Sequence, residues 1–185
     1  MRRGALVVLA LLAGACGSSD AEPATTAADS NGLGAVQEFE IDGAEHVDGT
    51  VDYPQSPPVG GDHRNGWQNC GFYDIEVPNE QAVHSLEHGA VWVTYSDEAP
   101  AAELEQLRER AAEESHLLVT RYTDQDSPFV LTAWARQLDV ASTSDPAFES
   151  FLATFMETGP TTPEPGATCS SAFGIPPDDP STIAQ

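Results

Sequence analysis

Two apolar runs, AVWVTY at 90–95 and LLVTRY at 117–122, flank an amphipathic helical pattern from Pro100 to Glu114. No other feature constrains the chain so strongly. Both runs are short and rich in β-branched and aromatic residues, as buried strands are, while Leu104, Leu107 and Ala111 line one face of the helix between them. A strand–helix–strand unit calls for a sheet covered by helices. FVLTAWARQL at 129–138 reads as a further strand beginning after Pro128. Asp145 and Pro146 start another helix, through Glu157, with Phe148, Phe151, Leu152 and Phe155 as its apolar stripe. VQEFEI at 36–41 alternates imperfectly and adds a weaker strand signal. The expected class is mixed α/β (α+β), a single small sheet with helices mainly on one face.

From His46 to Tyr73 the composition changes. Gly, Pro, Asp and Asn dominate, with Pro57-Pro58 and Gly60-Gly61 as breakers and Tyr53, Trp67, Phe72 and Tyr73 as anchors. This predicts a long ordered loop, and such length inside a domain points to function. Asn79 then caps a short helix over Glu80 to His88, stopped by Gly89. Neither an internal repeat nor a second core is visible, so residues 36–175 read as one globular domain and 176–185 as a disordered tail.

The first residues predict export. Arg2 and Arg3 precede an apolar stretch from Ala5 to Leu12, and Ala13, Gly14 and Ala15 are small enough to enter a signal-peptidase groove. The stretch is too short to span a bilayer. LAGAC resembles a bacterial lipobox, with Ala13 in place of the usual Leu. Residues 1–15 are therefore expected to be a signal peptide, and Cys16 to carry diacylglycerol and acyl lipid. Residues 16–35 would be a flexible lipidated tether, because small polar residues cannot offset the entropy of ordering. The expected location is the extracytoplasmic face of a cell membrane, held there by the lipid.

The formal charge is -23, and every one of the seven basic residues is an arginine. Removal of Arg2 and Arg3 with the signal would make it -25. Nucleic acid is excluded as a partner, since phosphate binding needs a basic patch. With Cys16 assigned to lipid, Cys70 and Cys169 remain. Outside the cytoplasm an isolated pair oxidises, so a disulfide is expected, with Cys70 as a thiolate ligand or nucleophile the competing reading.

The chemistry concentrates in His84-Ser85-Leu86-Glu87-His88. Histidines four apart on a helix share a face, so both imidazoles can reach one ion. Two histidines make a weak site, and His63 is the leading third ligand, with Asp62 placed to orient its ring; His46 is second. Copper or zinc suits imidazole best. Met156 reads as core packing and His116 as a hydrogen-bonding residue. The alternative is a non-catalytic envelope interaction module whose histidines bond Glu87, Asp62 or carbonyls and brace the loop. The string also fits H-x-x-E-H, the inverted zincin pattern, with Glu87 as base and Glu149, Glu157 or Glu164 as a distant ligand. No G-x-S-x-G, C-x-x-C, P-loop or dinucleotide fingerprint occurs, and no catalytic residue is assigned.

PPVGGDH (57–63), W-x-x-C-G-x-Y (67–73) and VHSLEHGAVWVTY (83–95) together resemble the bacterial domain of unknown function 3105 family. The likeness covers roughly residues 36 to 158, and Gly60 stands where the family pattern usually has serine. It implies an extracytoplasmic domain, often with an N-terminal anchor, and no established activity. Its signature positions here are His63, His84, Glu87, His88 and Gly89.

Overall fold

The computed structural model describes residues 33–175 and 179–183. The expected signal peptide, Cys16 and nearly all of the tether lie outside the described residues. After a 3-10 turn at Leu33–Ala35 come β1 (Gln37–Glu38), β2 (Gly71–Tyr73), α1 (Asn79–Glu87), β3 (Val91–Tyr95) and α2 (Ala101–Glu113). They are followed by β4 (Leu117–Arg121), β5 (Phe129–Ala133), β6 (Arg136–Val140), α3 (Pro146–Phe155), β7 (Phe173–Ile175) and β8 (Asp179–Ile183). Six strands form one mixed sheet in the order β1-β6-β5-β3-β4-β2. The class is the mixed α/β one that the sequence predicts.

The strand–helix–strand unit is its centre: β3 and β4 pair in parallel, with Val91 opposite Leu117 and Val93 opposite Val119. Alternation then divides the sheet into two faces. Val91, Val93, Leu117, Val119 and Leu131 join Leu107 of α2 and Phe148, Phe151, Leu152 and Phe155 of α3 in the larger core. Trp92, Leu118 and Tyr73 point the other way, toward Ala82, Val83 and Leu86 of α1 and toward Trp134. Two helices thus cover one face, while α1 and the long loop cover the other.

Several local expectations need correction. The run 129–138 is a hairpin, not one strand: β5 and β6 pair antiparallel around Trp134 and Ala135. Ala135 takes φ 62° and donates its N–H to the Val59 carbonyl, so contact with the loop imposes a turn that the residues themselves do not signal. Only Gln37–Glu38 of the first candidate strand pairs, at the sheet edge beside β6. Pro78, not Asn79, caps α1, with its carbonyl accepting from Gln81 and Ala82; the Asn79 amide reaches the Tyr122 hydroxyl. The last helix ends at Phe155, because Glu157 turns to φ 63° and donates to the Gly89 carbonyl. Gly89 itself has φ 97°, and a Cβ there would overlap the Glu157 carbonyl oxygen, so this crossing requires glycine.

The long loop ends in a strand, since Gly71–Tyr73 pairs in parallel with β4. Cys70 and Cys169 are disulfide-bonded across 99 residues. Beside the bridge Cys70 donates to the Cys169 carbonyl, Asn69 to that of Phe173, and Phe173 to that of Trp67. The segment from Glu164 to Ile175 is therefore strapped over the loop and α1. Held in this way, β7 offers an edge with which Asp179–Ile183 pairs as β8, inside the tail expected to be disordered. Among the described residues no helix is long and apolar enough to cross a membrane.

Candidate metal centre

Helix α1 lies between the sheet and the loop, and eight consecutive residues, Glu80 to Glu87, are buried. Val83 and Leu86 supply the apolar contact with the sheet, which leaves the polar face to find partners among loop groups. Glu80 accepts from the Val51 amide at 2.9 Å, and Ser85 donates to the Gln68 carbonyl at 2.7 Å. The loop is closed on itself by a two-residue parallel bridge: Val47 donates to the His63 carbonyl and His63 to that of Glu45. This bridge sets His46 beside His63, directly over the α1 pair His84 and Glu87. The imidazole centroids of His46, His63 and His84 are 4.8–5.0 Å apart.

One ligand atom from each of His46, His63, His84 and Glu87 lies within 4.8 Å of the others, an arrangement that can hold a metal ion. Tetrahedral bonds of about 2.0–2.1 Å put ligand atoms about 3.3–3.4 Å apart, so the widest pair, 4.8 Å, must draw in by about 1.5 Å. His63 is fully buried, and Glu87 and His84 nearly so; the His46 side chain, 46% exposed, forms the open wall.

Proton positions make the cluster unusual. Nδ1 of His63 donates to the Gly61 carbonyl (2.8 Å), that of His84 to the Arg64 carbonyl (2.6 Å) and that of His88 to the Thr168 carbonyl (2.7 Å). A carbonyl can only accept, so each neutral ring carries its proton on Nδ1 and presents a lone pair at Nε2. Those lone pairs face other acceptors. His63 Nε2 is 3.0 Å from Glu87 Oε2, and His84 Nε2 is 3.1 Å from His88 Nε2. Each contact is complete only with a proton or a cation between the two atoms. Carbonyl–imidazole–metal chains are the usual way in which a protein fixes the tautomer and aim of a ligating histidine.

For His84 the proton is disfavoured. Burial lowers its pKa to about 4, with the positive fields of neighbouring His88, His63 and His46 acting in the same direction and the Arg64 carbonyl opposing them. At neutral pH its Nε2 is an unprotonated nitrogen whose lone pair is free to bind a metal ion. Two indoles close the site: Trp67 lies 4.6 Å from the His88 ring and 5.5 Å from that of His84, and Trp134 stands edge-on to His63 at 6.1 Å.

The expected ligands are thus close together, with two changes of role. Helical spacing does bring His84 and His88 to one place, but His88 stands outside the four-residue group, and Glu87 belongs to it as a potential ligand. Asp62 does not orient His63; its carboxylate accepts from the Glu45 amide, and the Gly61 carbonyl does the orienting. Of the distant glutamates, Glu164 approaches, 3.6 Å from His88 Nε2, while Glu149 pairs with Arg110. His116 accepts from Ser115 and donates to the Ala167 carbonyl, and Met156 packs on the larger core. The carbonyls of Gly61, Arg64 and Thr168 were not foreseeable, because a main-chain acceptor has no residue signature; only the adjacency of Gly61 to His63 offers a hint.

A family model described as a protein of unknown function (DUF3105) matches residues 46–171. No curated protein and no solved structure matches the chain. The matched span begins at His46 and contains His63, His84, Glu87 and His88, both bridged cysteines and the strap as far as Ser171. With the match running through most of the chain and the whole histidine cluster, the protein belongs to the DUF3105 family.

Proposed function

We propose that this domain binds one transition-metal ion, copper or zinc, through His46, His63, His84 and Glu87. In this reading it sequesters or delivers the ion at the extracytoplasmic face of a membrane, anchored by lipid on Cys16. The observation that carries the proposal is the convergence of Nε2 lone pairs and a carboxylate with no donor between them. Three imidazoles and one carboxylate form a donor set suited to divalent copper or zinc; thiolate and thioether, the donors that favour Cu(I), are absent from it.

A bracing role for the histidines accounts for one nitrogen of each ring, since Nδ1 of His63, His84 and His88 ties the loop and strap to α1. It accounts for Nε2 of His63 only if that ring carries a second proton to donate to Glu87, and for the His84–His88 contact only if those two rings share one. Hydrolysis would need Glu87 as a base beside a metal-bound water, whereas Glu87 Oε2 stands among the candidate ligands, 3.0 Å from His63 Nε2.

Calorimetric titration of the purified chain with Zn(II) and Cu(II) tests the reading. One equivalent should bind, and joint substitution His63→Ala and His84→Ala should weaken binding by about 100-fold or more, roughly 2.8 kcal/mol. Equal affinity in the variant would sink it. The anchor is tested separately, by mass spectrometry of membrane fractions for an N-terminal acylated Cys16 peptide.

A further inference from the structure

His88 and Glu164 are left over by the four-residue group, yet they repeat its chemistry. His88 Nδ1 is committed to the Thr168 carbonyl, so Nε2 presents a lone pair. That nitrogen is 3.1 Å from His84 Nε2 and 3.6 Å from Glu164 Oε2, so it stands between two further acceptors. A histidine buried purely for structure would be expected to meet a donor there.

Glu164 is placed, not incidental. Its amide donates to the Glu87 carbonyl at 3.0 Å, which ties the strap to the end of α1, while its carboxylate is 58% exposed. The contrast with Glu87, whose side chain is 9% exposed, is that between a group meeting solvent and one enclosed. His84 borders both sets, with Nε2 3.1 Å from His88 Nε2 and 3.9 Å from Glu87 Oε2. Its Nδ1 is occupied by the Arg64 carbonyl, so His84 has one lone pair and can serve one ion at a time.

We infer that His88, Glu164 and His84 form a second, outer position for the same transition-metal dication, exclusive with the inner position because the two share His84. The inference rests on the metal-binding reading above. It adds that the cluster holds an ion in either of two places, the outer one faced by the solvent-exposed Glu164 carboxylate. A donor set of two imidazoles and one carboxylate suits the same class of ion as the inner set and binds it less tightly. The strap is then part of the site, because it supplies both Glu164 and the carbonyl that aims His88.

The test disables the inner position with mild changes, His46→Ala at a half-exposed ring and Glu87→Gln at constant shape, in the full chain. Cu(II) is titrated by calorimetry, and ligand nitrogens are counted by electron paramagnetic resonance. This variant should retain one equivalent, bound about 100-fold more weakly than in the unaltered chain. Adding Glu164→Gln should weaken it about tenfold further, and adding His88→Gln should remove it and its nitrogen couplings, with circular dichroism confirming the fold. The inference is overturned if the disabled variant binds no copper, or if its residual binding ignores both added changes. It is also overturned if the unaltered chain binds two equivalents of similar affinity, because His84 would not then be shared. Failure of the unaltered chain to bind any copper or zinc would instead remove the metal-binding reading itself.

Discussion

Helices α1 and α3 are both buried, but for opposite reasons. α3 buries Ala147, Phe148, Phe151, Leu152 and Phe155 against the sheet and leaves Glu149 and Ala153 in solvent, the one-sided pattern of a helix held by the hydrophobic effect. α1 buries Glu80, Gln81, His84, Ser85 and Glu87 as well as its apolar residues, because the loop covers the face that the sheet does not. Each buried polar group there is costly unless partnered. The difference separates two tasks: α3 supplies stability, while α1 uses stability supplied elsewhere to hold polar groups in a preset arrangement.

Substitutions can break that contrast. Phe151→Ala should have the largest effect, a loss of about 3–5 kcal/mol in denaturant unfolding, with metal affinity unchanged so long as the protein is folded. A large loss of affinity in that variant would mean that the two helices are not separable. Removal of the Cys70–Cys169 bridge by double serine substitution should cost about 2–5 kcal/mol. Hydrogen exchange should rise first in the strap around Thr168, which the bridge holds beside α1.

Acid should act on α1 through His84. In the metal-free protein His84 has its pKa lowered to about 4 against 6.5 in an open chain. Well above pH 6.5 both states are neutral at this ring and it contributes no pH dependence. As the pH falls from 6.5 to about 4 the unfolded chain takes up a proton that the folded one refuses, so stability falls. The loss is on the order of 3 kcal/mol once complete. Unfolding free energies at pH 7 and pH 4.5, compared with those of His84→Asn, isolate this ring; equal slopes in the two proteins would refute the assignment.

Glu87→Gln sharpens the contrast with the smallest change. An amide can donate to His63 Nε2 where the carboxylate cannot, so the metal-free protein should melt at the same temperature or a few degrees higher. Zn(II) affinity should fall about 10–100-fold, or 1.4–2.8 kcal/mol. Unchanged affinity with lowered stability would reassign Glu87 to a structural role.

The parts legible in the sequence are those in which side-chain periodicity decides the outcome. Leu104, Leu107 and Ala111 announce α2, and the Phe/Leu stripe announces α3. The spacing of His84 and His88 announces a shared helical face. The hairpin at Trp134 and Ala135 is hidden because neither residue favours a turn and the loop carbonyl of Val59 enforces it. The promotion of Glu87 over His88 within the cluster depends on the His46–His63 bridge, a contact between residues with no common pattern. Thr168 is 80 residues from His88, beyond the reach of local spacing.

Trp67, lying against both His84 and His88, makes the molecule its own optical gauge. Zn(II), with a filled d shell, should shift its emission with little dimming, whereas paramagnetic Cu(II) at the same nitrogens should extinguish it. The indole would then register which of the two ions has arrived, with no label attached.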